Sequence, residues 1–426
     1  MVERGLQAWW RGGGCGVKSS PMISAAEKAG RLRGLLFVAA VFAASRLFYL
    51  VAGGALSAVV PVSGFQRDTL DDPYGSMSVW SHWDGEHYVS LALEGYLRGE
   101  GQVSPAFFPA YSLLVRSFTE LFGGPLTAAA VSVWGVLVSV GALFFALYFV
   151  YRIAEDGWGE AVARRTVLAL AFFPTAFFFN AAYTESLFLA FLAGAVWAAR
   201  VRRDLLLAVV LAALAGATRN VGLFLILPLA HEWLRGAGEY RWRVAYLGLI
   251  PAGLVAYMGY LWWRFGEPLL FYTDQSQWGR EATGPLASFK GAFTEAFEEL
   301  SFLVRPGGFP VDPGSAADYL ASANDAINLL FLTLAVVLFA AGLSSRVRLP
   351  WGLAGYAALA AFLPALFGSA QSPLMGFPRY VLVVFPLFIA LGVLLKNRAL
   401  LAAWLTLSVA SSLVLCALFV SWRFVA

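Results

Sequence analysis

Long apolar stretches alternate with short polar ones from Leu35 to Phe424. Each stretch is continuously apolar rather than alternating, and many approach the roughly 20 residues that an α-helix needs to cross a bilayer. That pattern predicts transmembrane helices and excludes a membrane β-barrel, whose strands alternate in polarity. Hydropathy sets spans at residues 35–60, 126–151, 167–180, 186–199, 205–218, 221–233, 244–263, 327–342, 351–367 and 381–395, with a last one reaching Trp422. The fold class is therefore an all-α polytopic membrane protein with about 11 transmembrane helices.

The polar breaks carry a second pattern. With Arg31 and Arg33 in the cytosol, the clusters Arg152/Arg164/Arg165, Arg200/Arg202/Arg203, Arg235/Arg241/Arg243, Arg346/Arg348 and Lys396/Arg398 all fall on the same side. Spans chosen by hydropathy alone thus obey the excess of Lys and Arg in cytoplasmic loops. Residues 1–30 are rich in Gly and Ser and read as a disordered cytosolic tail. Residues 31–426 read as one integral-membrane domain. The first apolar run is too long for a signal h-region, so a signal anchor is expected rather than a cleaved peptide.

The opposite face receives the chemistry. It takes a first large loop (61–125), the turn "NAAYTES" (180–186), Arg219 with Asn220, a second large loop (264–325), and "SAQSPLMGFPRY" (369–380), which ends on Arg379 and Tyr380. Glu185, Arg219 and Arg379 sit at the edges of apolar runs, where charge is costly and more often functional than decorative.

Composition narrows this further. The 426 residues are 60% hydrophobic and 13% charged, so titratable side chains are scarce. Cys15 and Cys416 lie far apart in sequence and build neither a disulfide framework nor a thiolate metal site. The net charge of +4 is explained by the topology clusters, and nucleic acid is not an expected partner.

Against that scarcity, "SHWDGEHYVS" (81–90) holds His82, Asp84, Glu86 and His87, including two of the chain's three histidines. It is not the H-E-x-x-H zinc pattern. At about 100° per residue, a helix places His82 with Glu86 and sends Asp84 to the other side, in line with His87 and Tyr88. Two carboxylates acting as a pair within the segment are thus not expected. Asp84 also suits a plain helix N-cap, and interfacial polarity accounts for His82, Glu86 and His87. No cofactor is required by these residues, although a loosely held divalent cation (Mg or Mn) at Asp84 with Asp71 or Asp72 stays open. The region 79–97 and the following "PAFFPAYSLLVRSFTELF" (105–122) are amphipathic and predict two interfacial helices at headgroup depth.

Five stretches together resemble a known family: "SHWDGEHYVSLALEGY", "AFFPAYSLLVR", "FFPTAFFFNAAYTESLFLAFL", "ATRNVGL" and "PRYVLVVFPLF". In this order they look like the PIG-V membrane mannosyltransferases of the GT-C superfamily, over roughly residues 80–388. The resemblance implies a GT-C fold, with surface helices and an active-site acid in the first non-cytosolic loop. By motif, Trp83 and Asp84 match the family's tryptophan–aspartate pair. It also implies a polyprenyl- or dolichyl-phosphate-mannose donor and a glycolipid or glycan acceptor in the membrane; the eukaryotic members add an α1,6-mannose in glycosylphosphatidylinositol assembly. Arg outnumbers Lys, and Ala, Gly and Val abound, which points to a GC-rich bacterial genome and a plasma membrane with the site facing outward. In a eukaryote the site would face the ER lumen. Bacteria do not make glycosylphosphatidylinositol, so the acceptor does not carry over.

On that basis Asp84 is expected to act as general base. Arg379, and after it Arg219, would receive the lipid phosphate. Asn180 and Glu185 would bond sugar hydroxyls, and Trp83 or Tyr183 would stack on a sugar face. His82, Glu86, His87, Asn220 and Tyr380 complete the candidate binding set. Arg46, inside the first span, needs a partner that the sequence does not name. Competing classes are a lipid or sugar transporter, which usually shows repeats or matching broken helices in its halves, and a non-catalytic subunit of a glycosylation complex, which would not need Asp84.

Overall fold

The computed structural model describes residues 25–63, 75–97, 104–236, 241–279, 284–304, 310, 312–366, 368 and 372–425. Cys15, Asp71, Asp72 and most of the expected N-terminal tail lie outside the described residues. Within them the chain forms seventeen α-helices and no strand. The first half comprises α1 (Ala25–Val59), α2 (Asp84–Glu94), α3 (Pro109–Phe122), α4 (Ala128–Trp158), α5 (Glu160–Ala171), α6 (Glu185–Trp197), α7 (Leu205–Thr218), α8 (Ile226–Gly236) and α9 (Ala252–Phe265). There follow α10 (Leu270–Thr273), α11 (Pro285–Leu303), α12 (Pro313–Ala321), α13 (Asn324–Leu343), α14 (Trp351–Phe362), α15 (Phe377–Leu382), α16 (Phe385–Leu394) and α17 (Arg398–Val420).

Among these, α1, α4, α13 and α17 are long and apolar enough to cross a membrane. A fifth candidate is α9 taken with the 3-10 turn before it, the two bent by 40°. Leu47, Phe145, Val337 and Leu407 project from α1, α4, α13 and α17 with their side chains exposed, as suits a hydrocarbon solvent. The shorter apolar helices α7, α14 and α16 match three expected spans in place but not in length. The expectation of about eleven uninterrupted spans therefore differs from what is observed: runs 167–180, 221–233, 244–263 and 381–395 are each divided into two pieces. Proline explains three of the breaks, since Pro174, Pro251 and Pro386 lack the N–H that a continuous helix needs. Helix α1 opens at Ala25, ahead of the residue-31 boundary read from composition.

The break between α5 and α6 shapes the centre of the molecule. Residues 172–184 pass through the interior without forming an α-helix, all of them buried but the half-buried Phe172. Freed backbone groups at membrane depth are tolerated only where protein satisfies them. Arg46 of α1 does so. Its guanidinium donates to the carbonyls of Ala171 (3.1 Å) and Ala176 (3.1 Å) and to Asn180 Oδ1. A cation is also favoured against the carbonyl end of a helix, here α5. This is the partner that the sequence left unnamed.

The same stretch then carries the expected interfacial region. The Ala182 N–H donates to the Trp80 carbonyl (2.7 Å), and Tyr183 Oη donates to the His82 carbonyl (2.9 Å). Ser139 of α4 donates to the Tyr183 carbonyl (3.2 Å), and Ser81 pairs with Ser132 of α4. Helix α3 joins this platform through Tyr111, whose hydroxyl donates to the Gly135 carbonyl (2.7 Å). Of the two amphipathic helices foreseen in the first loop, α2 thus rests on the buried 180–186 block through Tyr88, and α3 rests on α4 through Tyr111.

Candidate active site

Four charged side chains from four distant segments meet beside one cavity. Asp84 is the first residue of α2, Glu185 the first of α6, Arg219 the C-cap of α7, and Arg379 lies within α15. Arg379 Nη1 lies 2.6 Å from Asp84 Oδ2, while its Nε and Nη2 lie 2.9 and 2.8 Å from Glu185 Oε1. Arg219 Nη1 reaches the same Glu185 oxygen at 3.2 Å. Two carboxylates and two guanidiniums cancel in formal charge, which offsets the cost of holding ions away from water. Exposure separates the acids: the Asp84 side chain is 33% accessible and the Glu185 side chain 0%.

Arg379 is held from below as well. Its guanidinium lies 4.5 Å from the Tyr183 ring centroid and 5.3 Å from that of Phe178. Such stacking favours a planar, weakly hydrated cation over a lysine ammonium. Arg219 packs 5.7 Å from the Tyr380 ring. The Arg379 fork is thus fixed by one carboxylate on each side and an aromatic floor.

The cavity has a volume of about 620 Å³, within the usual range for small-molecule sites. Asp84 and Tyr88 line it from α2, Arg219 and Asn220 from the end of α7, and Gly376, Arg379 and Tyr380 from α15 and its approach. The second loop contributes Tyr272, Thr273, Gln275 and Ser276, and Phe424 closes a further wall. Ser104 donates to Asp274 (2.8 Å) and ties the two loops together.

Of the side chains selected from sequence, Asp84, Arg219, Asn220, Arg379 and Tyr380 line this cavity. Glu185 and Tyr183 lie directly behind it, buried against Arg379. Asn180 is fully buried with Arg46 and is not among the lining residues. Trp83, His82, Glu86 and His87 are likewise absent from the lining. The His82 ring stacks on Trp422 at 4.1 Å and His87 on Phe107 at 4.6 Å. Burial pushes the His87 imidazole below its usual pKa, against the opposing pull of Asp84. Among the described residues no group of three or more His, Cys, Asp or Glu is placed to hold a metal ion.

The helix geometry expected from a continuous turn through residue 82 is also corrected. Helix α2 starts at Asp84, so His82 lies outside it. The N-cap is Trp83, with φ 58° and ψ −124° and no side-chain capping bond, which removes the reading of Asp84 as N-cap. A tryptophan in the left-handed half of the map costs of order 1–3 kcal/mol, and such strain concentrates at functional sites. Asp84 keeps the favourable position of an acid in the first turn, where the helix dipole is positive.

Sequence reasoning missed the second-loop residues and Phe424 as cavity walls. Tyr88, by contrast, was legible, since a helix starting at Asp84 brings residue 88 onto the same face.

The fold and the site together define a polytopic membrane protein with a carboxylate–arginine centre at one end of its helices. Comparison with known proteins then narrows the class. Residues 33–238, just under half of the chain, match the family described as Mannosyltransferase (PIG-V). The human GPI alpha-1,6-mannosyltransferase 2 is 29% identical over 180 residues, which cover 41% of this chain and 35% of that protein. The chain therefore spans about a third of the length of the curated relative it matches. Among solved structures, the apo oligosaccharyltransferase of Archaeoglobus fulgidus aligns at a TM-score of 0.43 and 13% identity, covering 95% of this chain and 57% of that one. The same archaeal enzyme in complex with an inhibitory peptide and a dolichol-phosphate aligns at 0.41 and 13% identity, covering 94% and 56%. The motif resemblance to PIG-V mannosyltransferases is thus borne out across the half of the chain that supplies Asp84, Glu185 and Arg219.

Proposed function

We propose that the protein is a GT-C-type mannosyltransferase that takes mannose from a polyprenyl-phosphate-mannose donor and transfers it to a hydroxyl of a glycolipid or glycan acceptor. The reading rests chiefly on one observation: an accessible aspartate and two arginines share one wall of a cavity large enough for a sugar phosphate. In this mechanism the acceptor oxygen forms a bond to the anomeric carbon as the bond from that carbon to the phosphate oxygen breaks. Attack opposite a β-linked phosphate inverts the centre and gives an α-mannoside. Asp84 takes the hydroxyl proton, and its partial exposure leaves it open to an acceptor. Arg379 and Arg219 stabilise the charge that builds on the departing lipid phosphate.

Glu185 has a different task from the one read in the sequence. Fully buried, with one oxygen holding both guanidiniums, it fixes the phosphate cradle rather than a sugar hydroxyl. Tyr380, Asn220 and Tyr88 are the lining groups suited to sugar contacts. The topology read from the basic clusters puts this site on the non-cytosolic face, which in a bacterium is the outside of the plasma membrane.

The test is transfer by purified protein from polyprenyl-phosphate-mannose to a panel of lipid and glycan acceptors, read by mass. Asp84→Asn is expected to abolish transfer while leaving a monodisperse, folded protein in detergent. Near-normal turnover by that variant would remove Asp84 as the base.

A further inference from the structure

From the far end of the described chain, residues Ser421–Val425 return to the cavity and pack on the two residues that precede Asp84. The anchor is Arg423, itself buried. Its Nε lies 2.7 Å from Asp318 Oδ1, and its other nitrogens donate to the carbonyls of Pro61 (2.9 Å) and Gly314 (3.1 Å). The Ser63 N–H adds a bond to the Ser421 carbonyl at 2.9 Å. One arginine thus pins this short segment to the start of the first loop and to α12.

From that anchor the segment grips the motif. Trp422 stacks on His82 with ring centroids 4.1 Å apart and planes 27° apart, and meets Trp83 at 5.6 Å. Phe424 meets Trp83 edge-on at 5.4 Å and lines the cavity on its other side. His82 Nδ1 lies 3.3 Å from the Phe419 carbonyl just upstream. Trp422 and Trp83 both hold positive φ, 59° and 58°, in a region that side-chain-bearing residues avoid. The indole N–H of Trp83 is buried and has no hydrogen-bond partner among the described residues. Local preference is overruled twice at one contact, and the strained peptide lies immediately before Asp84, so any relaxation of Trp83 re-aims the carboxylate.

We infer that residues 421–425 act as a positioning element of the active site: the Trp422–Phe424 clamp holds His82 and Trp83 so that Asp84 starts α2 facing Arg379 and the cavity. The inference rests on the proposed role of Asp84. It assigns the tryptophan of the tryptophan–aspartate pair a buttressing role rather than a sugar-stacking one, and it makes Trp422 and Phe424 determinants of turnover rather than of donor binding.

The full chain in detergent is assayed with polyprenyl-phosphate-mannose, with kcat and donor KM measured separately. Trp422→Ala is expected to lower kcat about ten-fold or more, with donor KM changed by no more than about two-fold, because the arginine cradle is intact. Trp422→Phe, which keeps a ring over His82, restores most of that loss, whereas a general packing defect would not discriminate in kcat alone. If Trp422→Ala does not purify as a folded species, Trp422→Leu carries the test, since it removes the ring over His82 at a residue outside the cavity lining, with the same expected split. Unchanged kcat in the soluble variant, or equal losses in Trp422→Ala and Trp422→Phe, overturns the inference. Asp84→Asn is measured alongside: if it is inactive while the clamp variants are not, the inference alone fails, and if it is active the reading of the site fails with it.

Discussion

Arg379→Lys separates charge from geometry at the centre of the site. The substitution keeps one positive charge but replaces a planar fork with a single ammonium. Arg379 makes two close contacts to Glu185, at 2.9 and 2.8 Å, and one to Asp84 at 2.6 Å. A hydrogen bond to a buried charged group contributes about 1.5–3 kcal/mol. The Asp84 contact counts for less, about 1 kcal/mol at most, because that carboxylate is partly solvated. A lysine can retain one of the Glu185 contacts and loses the other together with the hold on Asp84. The deficit is then roughly 2–4 kcal/mol, which in kcat/KM is roughly a 30- to 1000-fold loss. The loss should fall on both kcat and donor affinity, since in the proposed mechanism the same fork orients Asp84 and receives the phosphate. The assay is a donor titration at saturating acceptor, with detergent-based thermal unfolding to verify folding. Activity within about three-fold of the parent would mean that charge alone suffices at residue 379, and the positioned-fork reasoning would be wrong.

Two further predictions follow from packing and burial. An added Cβ at Gly253 would sit 1.9 Å from the Ala213 carbonyl oxygen, so α7 and α9 approach backbone to backbone there. Gly253→Ala should lower the unfolding temperature by an amount matching about 1–3 kcal/mol, while Gly259→Ala, with nothing within 4 Å of the added atom, should be neutral or mildly stabilising; equal melting temperatures for the two variants would contradict the close approach. At His87 burial depresses the folded-state pKa below the ordinary value of 6.5, so the unfolded chain binds the proton more readily. Its contribution to stability is then complete above about pH 6.5 and is lost as the pH falls below that value. Thermal unfolding from pH 8 to pH 5 should accordingly show a steeper acid-side decline for the parent than for His87→Phe, which keeps the ring against Phe107, and parallel curves would refute it.

How much of this was written in the chain depends on the length scale of the signal. Apolar runs located the helices because bilayer burial is a property of one segment at a time. The gathering of Asp84, Glu185, Arg219 and Arg379 was also legible, because charged residues at the rims of apolar runs, sorted by the side of the basic clusters, have few places to go. The contact that Asn180 makes was not legible, for a reason of the same kind. Its polarity signalled a site, but the group it serves is Arg46, separated from it by 134 residues and by a helix break that hydropathy smooths over. Phe424 and Trp422 carried no signal, since an aromatic residue after a span reads as an interfacial anchor. His82, conspicuous as one of three histidines, turned out to be a ring for Trp422 to lie on.

The Arg46 contacts bear on how the protein is made. Helix α1 is synthesised first among the described helices, yet three of the groups that accept from its guanidinium lie 125 to 134 residues further along the chain, with only Ser45 close by. A bare arginine near the middle of a lone helix costs about 2.5–3.5 kcal/mol on insertion. The Arg46 guanidinium is therefore satisfied across chain distance, and its full set of partners exists only once the buried crossing that carries the 180–186 block is in place.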